Sequence, residues 1–348
     1  LKASIPTIYF VLCLDAYYDI TTVINGTHDK LFVSCDFSNT EMYEDLSPVH
    51  LNPYFGYIPI MRGCNNFCSY CIVPFTRGRE RSMAFDKVLQ HARDILNSGR
   101  REIILLGQNV NSYRHENYRF HHILEAIAKM DGLKRIRFTS PHPKDLTEET
   151  IKVMANYKNI CHHIHLPLQA GSSEVLNKMN RTYTKEQYID LVNKIKYYIP
   201  DIAITTDIIV GFPGETEKNF EDTLDVMKQV VFDAAFMFKY SPREGTKAAR
   251  EIDNVPEKEK ADRLNKVIAL QKEHTLIKNK KLVGKTLEVF IEGESKKQKK
   301  EKIGRTESNK TVILKKGNPA TGSYVPVEII DFAGVSLFGK FVDSAEDL

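Results

Sequence analysis

Six short apolar runs between Tyr57 and Lys239 alternate with amphipathic stretches, and nothing else in the chain limits its fold so strictly. The runs occupy 57–61, 102–106, 135–139, 162–166, 202–210 and 234–239, are rich in Ile, Leu, Val and Phe, and read as strands. Between them lie helical patterns at 86–97, 120–130, 147–156, 185–198 and 217–230. The first helix carries Val88, Leu89, Ala92, Ile95 and Leu96 on one face and ends at Gly99. The third starts at Thr147, a good N-cap, with Thr150 where a capping box would place Glu. Strands separated by helices become parallel strands joined by right-handed crossovers. The expected fold is therefore α/β, a TIM-like barrel, closed or partly closed.

Barrels of this kind do their chemistry on the loops that follow the C-terminal ends of the strands. Cys64, Cys68 and Cys71 follow the first strand, and Gly107, Gln108 and Asn109 the second. Ser140 and His142 follow the third, Gln169 and Gly171 the fourth, and Gly211 to Thr216 (GFPGET) the fifth. The polar and glycine-rich features thus collect on one rim. The cysteines are spaced Cys-x3-Cys-x2-Cys, with no fourth cysteine or histidine close behind. Three thiolates on one short loop suit an iron–sulfur cluster, tying three irons and leaving the fourth open. A structural zinc site wants four ligands, so zinc with a distant fourth ligand is the other reading of this spacing.

The wider motifs extend the argument. The string from Cys64 to Ser82 (CNNFCSYCIVPFTRGRERS), with Tyr70 just before the last cysteine, resembles the radical S-adenosylmethionine (SAM) enzymes, in their methylthiotransferase branch. Leu106 to Tyr113 (LGQNVNSY), Phe138 to Leu146 (FTSPHPKDL) and His163 to Ser173 (HIHLPLQAGSS) resemble the tRNA-modifying members, which place a methylthio group on isopentenyl-adenosine beside the anticodon. The resemblance runs from about Asp15 to about Val342 and implies a partial, six-stranded barrel. It implies a 4Fe–4S cluster on Cys64, Cys68 and Cys71, with SAM on the open iron. It also implies cofactor contacts from Tyr70, Gly107, Gln108, Asn109, Ser140, Gln169, Arg181, Asp207 and Gly211. Several of these residues have local reasons of their own. A glycine lets the backbone approach a ligand, a carboxylate such as Asp207 in an apolar strand needs a partner, and the Arg181 fork suits a carboxylate or a surface ion pair.

Two groups of residues resist a single reading. Cys161, His162, His163 and His165 look like a metal cluster, but a strand alternates its faces, so only His163 and His165 point together, as hydrogen-bonded fillers. Arg77, Arg79 and Arg81 either pair locally with Glu80 or grip RNA phosphates.

After Tyr240 the pattern changes. Pro256 opens a charged helix to about Lys281, with Leu264, Val267, Ile268 and Leu270 as its apolar stripe. Five short strands then follow at 287–292, 302–306, 311–314, 324–330 and 336–342, read as a small antiparallel barrel. Between Lys278 and Lys316 thirteen Lys or Arg stand against five Glu. Such a patch is either a nucleic-acid footprint or a solvated lysine-rich loop. By resemblance this is an RNA-binding TRAM module. The expected division is 1–50, a remnant of an N-terminal methylthiotransferase domain; 51–283, the radical SAM core; and 284–348, the TRAM module.

The first fifty residues hold the departures. The apolar run 5–14 is too short to span a bilayer and reads as a buried strand. The chain opens on Leu1 rather than Met, as a fragment or a processed product would. Longer relatives carry three further cysteines for a second 4Fe–4S cluster that supplies or relays sulfur. Here Cys13 and Cys35 are read as ordinary buried or loop cysteines, and ligands for that cluster are not found. Cysteine usage points to a reducing cytoplasm rather than a disulfide framework. The resemblance implies as partners the tRNA anticodon stem-loop, an electron donor such as flavodoxin or ferredoxin, and a sulfur source, with no membrane. Its alternatives are a methylthiotransferase for threonylcarbamoyl-adenosine or for a ribosomal-protein aspartate, and an inactive fragment that binds RNA.

Overall fold

The protein is seen in a computed structural model that describes residues 8–13, 15–26, 31–35, 41–46, 48–295 and 301–342. Six parallel strands form the barrel wall. Phe55–Pro59, Glu102–Leu106 and Arg135–Phe138 make one sheet, and His163–His165, Ala203–Val210 and Ala234–Lys239 the other. A single bridge between Ile136 and Ile160 joins the halves, reinforced where the Cys161 N–H donates to the Ile136 carbonyl at 3.0 Å. Among the described residues no ladder connects the first strand to the last, so the barrel is partial.

The strands are asymmetric. Ile58, Ile103, Leu105, Ile136, Ile204 and Ile208 lie on the face turned to the helices and are fully buried in the main core. Tyr57, Ile104, Thr205, Asp207 and Phe236 occupy the inner face, where they are half-buried or exposed. Five helices, Phe85–Asn97, Phe120–Ala128, Glu148–Asn156, Lys185–Tyr198 and Glu217–Val230, follow the expected pattern. Thr147 caps its helix as expected, its hydroxyl accepting from the Thr150 N–H at 3.3 Å.

The C-terminal strands, Thr286–Glu294, Lys302–Thr306, Thr311–Lys316, Tyr324–Ala333 and Ser336–Phe341, close into a barrel around Val289, Ile291, Val312, Leu314, Val327, Ile329 and Leu337. The barrel is not wholly antiparallel, because Thr311–Lys316 runs parallel to Ser336–Phe341. An odd ring cannot alternate all the way round, so one parallel pair is forced by closure. Arg135 and Arg137, on an inner face of the large barrel, fasten the small one. Arg135 donates to the carbonyls of Arg305 and Glu288 at 3.0 Å each, and Arg137 to those of Glu307 and Thr306 at 2.8 and 2.9 Å.

The long helix spans Glu257–Lys280, but its buried face is polar. Of the expected stripe only Val267 is fully covered, while Lys260, Arg263, Gln271, His274, Thr275 and Asn279 are buried beside it. These side chains satisfy groups that the barrels leave open. Gln271 Nε2 donates to the Phe232 carbonyl at 3.0 Å and Asn279 Nδ2 to the Gly334 carbonyl at 2.9 Å.

The first strand, Phe10–Leu12, is shorter and less buried than expected, with Tyr9 and Phe10 exposed. Among the described residues it pairs only with Phe32–Ser34, in parallel. The rest of the apolar run, 5–7 and 14, lies outside them. The register sets Leu12 opposite Ser34 and thereby brings Cys13 and Cys35 to a Cα separation of 4.6 Å, where they form a disulfide. That corrects their reading as ordinary cysteines; a separation of 22 residues carries no local sign of pairing. No described helix is long and apolar enough to cross a membrane.

Candidate active site

The loop after the first barrel strand is fixed by backbone contacts that its sequence makes possible. Gly63 adopts φ +73°, and a Cβ there would lie 2.0 Å from the Arg79 carbonyl oxygen, so only glycine fits. Its N–H donates to Gln108 Oε1 at 2.6 Å, tying the cysteine loop to the loop after the second strand. The Cys64 N–H donates to the Gly78 carbonyl at 3.2 Å and the Cys71 N–H to that of Cys68 at 2.9 Å. From the other side the Ser69 N–H donates to the Met179 carbonyl at 2.9 Å, and Asn180 Nδ2 to the carbonyls of Asn66 and Phe67.

These contacts surround a cavity of about 360 Å³ at the C-terminal rim. Cys64, Cys68, Cys71, Tyr70, Gly107, Gln108, Ser140, Gln169, Arg181 and Asp207 all line it, drawn from the fifth strand and from the segments that follow the first four. Ser140 and Gln169 hold left-handed backbone at φ 56° and 69°, a strained conformation for non-glycine residues that tends to gather at functional sites. A larger hollow of about 590 Å³ lies behind the cysteine loop, but no cysteine lines it and we place the chemistry in the smaller one.

Arg181 is buried, with every arm of its fork engaged. Nε donates to Tyr183 Oη at 2.9 Å, Nη2 to the Pro167 carbonyl at 3.0 Å, and Nη1 to Cys68 Sγ at 3.5 Å. Burial pushes the Cys64 thiol up to about 11 and the Cys71 thiol up as well. Bare thiols here hold their protons until a cationic group displaces them.

Two predicted residues stand back from the cavity. Asn109 is buried, its Nδ2 donating to Asp145 Oδ2 at 2.7 Å and its Oδ1 accepting the His142 N–H at 3.2 Å; it shapes the rim from behind. Gly211 gives its N–H to Glu215 Oε2 at 2.5 Å, and Glu215 is bound by Arg263 Nη1 at 2.8 Å. The glycine motif is therefore braced by the long helix. Of the three arginines, Arg81 is buried against Asp15 at 3.1 Å and serves the local structure, while Arg79 is exposed, its guanidinium 4.4 Å from the Phe67 ring centroid.

His163 and His165 are hydrogen-bonded as expected, His163 to Thr205 Oγ1 at 3.3 Å and His165 to the same oxygen at 3.0 Å. What the sequence did not reveal is that His165 Nε2 also meets Asp207 Oδ2 at 3.2 Å and that both line the cysteine cavity. Both ends of that pair were visible, but their register, His165 opposite Thr205 and two residues before Asp207, was not.

The donor set fits an iron–sulfur cluster. Among the described residues no three His, Cys, Asp or Glu side chains converge as a single-ion cage would require. The free thiols of Cys64, Cys68 and Cys71 instead lie around a cavity wide enough for a polynuclear group.

The thirteen basic residues between Lys278 and Lys316 are less free than their count suggests. Lys278 and Lys310 both pair with Asp233, Arg305 with Glu292, Lys302 with Glu294 and Lys315 with Glu301. Lys280, Lys281, Lys285 and Lys316 are exposed, and 296–300 lie outside the described residues.

Comparison with known proteins agrees with this architecture. Residues 58–227 match the Radical SAM superfamily and residues 280–342 the TRAM domain. The chain is 48% identical to the tRNA-2-methylthio-N(6)-dimethylallyladenosine synthase of Porphyromonas gingivalis, over 95% of this chain and 73% of that protein. The synthase of the same name from Azobacteroides pseudotrichonymphae is 48% identical over 93% of this chain and 74% of that protein. That of Bacteroides thetaiotaomicron is 45% identical over 94% and 74%. Rim, cavity, small barrel and these relatives lead to one assignment: the chain belongs to the tRNA-2-methylthio-N(6)-dimethylallyladenosine synthase family of radical SAM enzymes.

Proposed function

We propose that this chain is a tRNA methylthiotransferase that adds a methylthio group to carbon 2 of isopentenyl-adenosine at position 37, beside the anticodon. One observation carries the chemistry: three free thiols share a cavity at the barrel rim with Tyr70, Gln108, Gln169, Arg181 and Asp207. Cys64, Cys68 and Cys71 would hold a 4Fe–4S cluster, leaving one iron open for SAM. Bound there, the pair supplies the radical chemistry needed to activate an unreactive aromatic C–H bond.

The chain's own residues prepare the site. Arg181 lends a charged donor to the Cys68 sulfur, Gln108 holds Gly63 and with it the start of the cysteine loop, and Asp207 is oriented by His165. Tyr70, half-buried at the cavity, offers an apolar wall for the SAM adenosyl group, with Gly107, Ser140 and Gln169 around it. The TRAM barrel, through exposed lysines such as Lys280, Lys281 and Lys285, grips phosphates of the anticodon stem-loop without reading its bases.

A complete reaction also needs an electron donor, such as flavodoxin or ferredoxin, and a sulfur source. In the family's chemistry a second 4Fe–4S cluster stands before that source. The remaining cysteines offer no second triad: Cys13 and Cys35 are paired, and burial pushes the Cys161 thiol up to about 12. A reducing cytoplasm suits the rim thiols.

The test is anaerobic reconstitution with iron and sulfide, reduction, addition of SAM, and measurement of 5′-deoxyadenosine. The wild type should form it and Cys68→Ala should not. A cluster-loaded chain that forms none would overturn the radical reading.

A further inference from the structure

Cys13 and Cys35 are held together by more than their bridge. The Cys13 N–H donates to the Ser34 carbonyl at 2.8 Å and the ladder sets Leu12 opposite Ser34, so the two thiols stay neighbours when the bridge is open. Both cysteines are half-buried, within reach of a small reagent. The Cys13 carbonyl accepts the Ala16 N–H at 3.0 Å, closing a tight turn that carries Asp15 and leads to Tyr17. Asp15 grips Arg62 at 3.3 Å and Arg81 at 3.1 Å, the facing pair at the root of the cysteine loop. The bridge thus stands one turn from the foundation of the rim thiols.

Tyr17 lines a hollow of about 380 Å³, which shares Gly107 and Gln108 with the cysteine cavity. Its wall carries the thioethers of Met42, Met61 and Met83, soft and polarisable surfaces. Arg62 and Arg77 add positive charge, which Asp15 offsets only in part. A cationic hollow walled by sulfur suits a small, soft anion, and hydrosulfide is one. We propose that Cys13 and Cys35 are a sulfur-carrying pair: Cys13 takes up a sulfane sulfur as a persulfide, and Cys35 expels it as hydrosulfide into the hollow beside the rim thiols. This rests on the methylthiotransferase reading, whose reaction needs a sulfur source, and goes further by naming the residues that deliver it.

The steps balance with two named co-reactants. A persulfide donor passes its outer sulfur to the Cys13 thiolate and leaves as a thiol. The Cys35 thiolate then attacks Cys13 Sγ. The bond from Sγ to the outer sulfur breaks, the bond between the two Sγ atoms forms, and the outer sulfur departs with the electron pair as hydrosulfide. The sulfane sulfur is reduced by two electrons, and the cysteines are oxidised to the bridge seen in the structure. A dithiol reductant of the thioredoxin class reopens that bridge for the next round. The attack is intramolecular, between residues whose Cα atoms lie 4.6 Å apart, so it outpaces thiols in solution. Cys13 is the carrier because its turn leads to the hollow, whereas Cys35 ends the neighbouring strand.

The first experiment uses the full chain, reconstituted with iron and sulfide so that the rim thiols are occupied, reduced and desalted. Glutathione persulfide is the probe; residue-resolved mass spectrometry reads each cysteine and a bimane assay reads free sulfide. Wild type is expected to release about one hydrosulfide per chain and close the bridge. Cys35→Ser should keep the added sulfur on Cys13 and lose most of the release, and Cys13→Ser should neither keep sulfur on Cys35 nor release it. Both variants lack the bridge, so a merely stabilising bridge would make them behave alike. Equal behaviour, or sulfur retained on Cys35 instead, overturns the assignment. The second experiment loads the metal-free chain with radiolabelled persulfide, then adds ferrous iron and an excess of unlabelled sulfide. Label in the iron-bound sulfide should exceed the solution ratio, and Arg77→Glu or Cys13→Ser should bring it down to that ratio. Wild type at the solution ratio, or Cys13→Ser still above it, overturns delivery from this pair to the rim. None of these readouts involves RNA or SAM, so their failure leaves the tRNA reading standing; a loaded chain that forms no 5′-deoxyadenosine overturns that reading by itself.

Discussion

The Arg181 guanidinium donates to the Cys68 sulfur at 3.5 Å from a position held by Tyr183 and the Pro167 carbonyl. The arginine comes from the segment after the fourth strand and the cysteine from the loop after the first. A hydrogen bond to a cluster ligand draws electron density from the sulfur and eases reduction. Arg181→Gln should therefore lower the midpoint potential of the reconstituted cluster. It should also cost about 2–4 kcal/mol of stability, since buried acceptors lose a charged donor. Redox titration of both proteins checks the first point; an unchanged potential would mean that the arginine merely packs.

Gly63 and Gly99 share left-handed backbone but not surroundings. A Cβ at Gly63 meets the Arg79 carbonyl at 2.0 Å, whereas none at Gly99 meets anything within 4 Å. Gly99→Ala should cost only about 1 kcal/mol, the conformational penalty. Gly63→Ala adds a backbone clash and should prise the cysteine loop from Gln108, reducing bound iron after reconstitution by well over half. Iron analysis of the two variants side by side settles the contrast.

Arg263 and Glu215 form an ion pair whose side chains are 2% and 0% exposed. Removing either partner leaves a buried charge, so Arg263→Ala and Glu215→Ala should each destabilise by about 3–5 kcal/mol. The double variant should cost less than both together, with a coupling of about 1–3 kcal/mol by urea unfolding.

His142 is buried, and burial, followed by the charges of Arg181 and Lys144, pushes its imidazole down to about 2. In the unfolded chain the ring takes up a proton near pH 6.5. The folded value is depressed, so stability is complete above pH 6.5 and falls as the pH drops from there toward 2. By pH 5 the loss from this group is on the order of 2 kcal/mol. Urea unfolding of the metal-free chain at pH 7 and pH 5, repeated with His142→Asn, should show a shallower decline in the variant. Parallel curves would assign the decline to other groups.

Much of this was legible in the chain. The six strands and five helices follow from periodicity, because each strand buries one face against a helix and writes that face as Ile, Val or Leu. The rim thiols follow from spacing on one short loop. The polar helix 257–280 was misread because its pattern of Arg263, Gln271 and Asn279 resembles a solvated surface until their distant carbonyl and carboxylate partners are seen. The Cys13–Cys35 bridge and the His165–Asp207 contact were hidden for the same reason: each depends on strand register, which no local run of residues encodes. The parallel pair in the small barrel is topological, a property of the ring and not of any strand in it.

The helix 257–280 has a consequence for how such chains can vary over generations. Near one end Arg263 grips Glu215, beside the glycine motif; near the other, Asn279 holds Gly334 of the small barrel. Twenty-four residues rise about 36 Å, and inserting or deleting one turns everything beyond it by about 100°. Arg263 and Asn279 could not then both keep their partners. A whole turn would restore the angle but move Asn279 about 5.4 Å along the axis, so descendants of this chain can exchange residues along the rod while its length between Arg263 and Asn279 stays fixed.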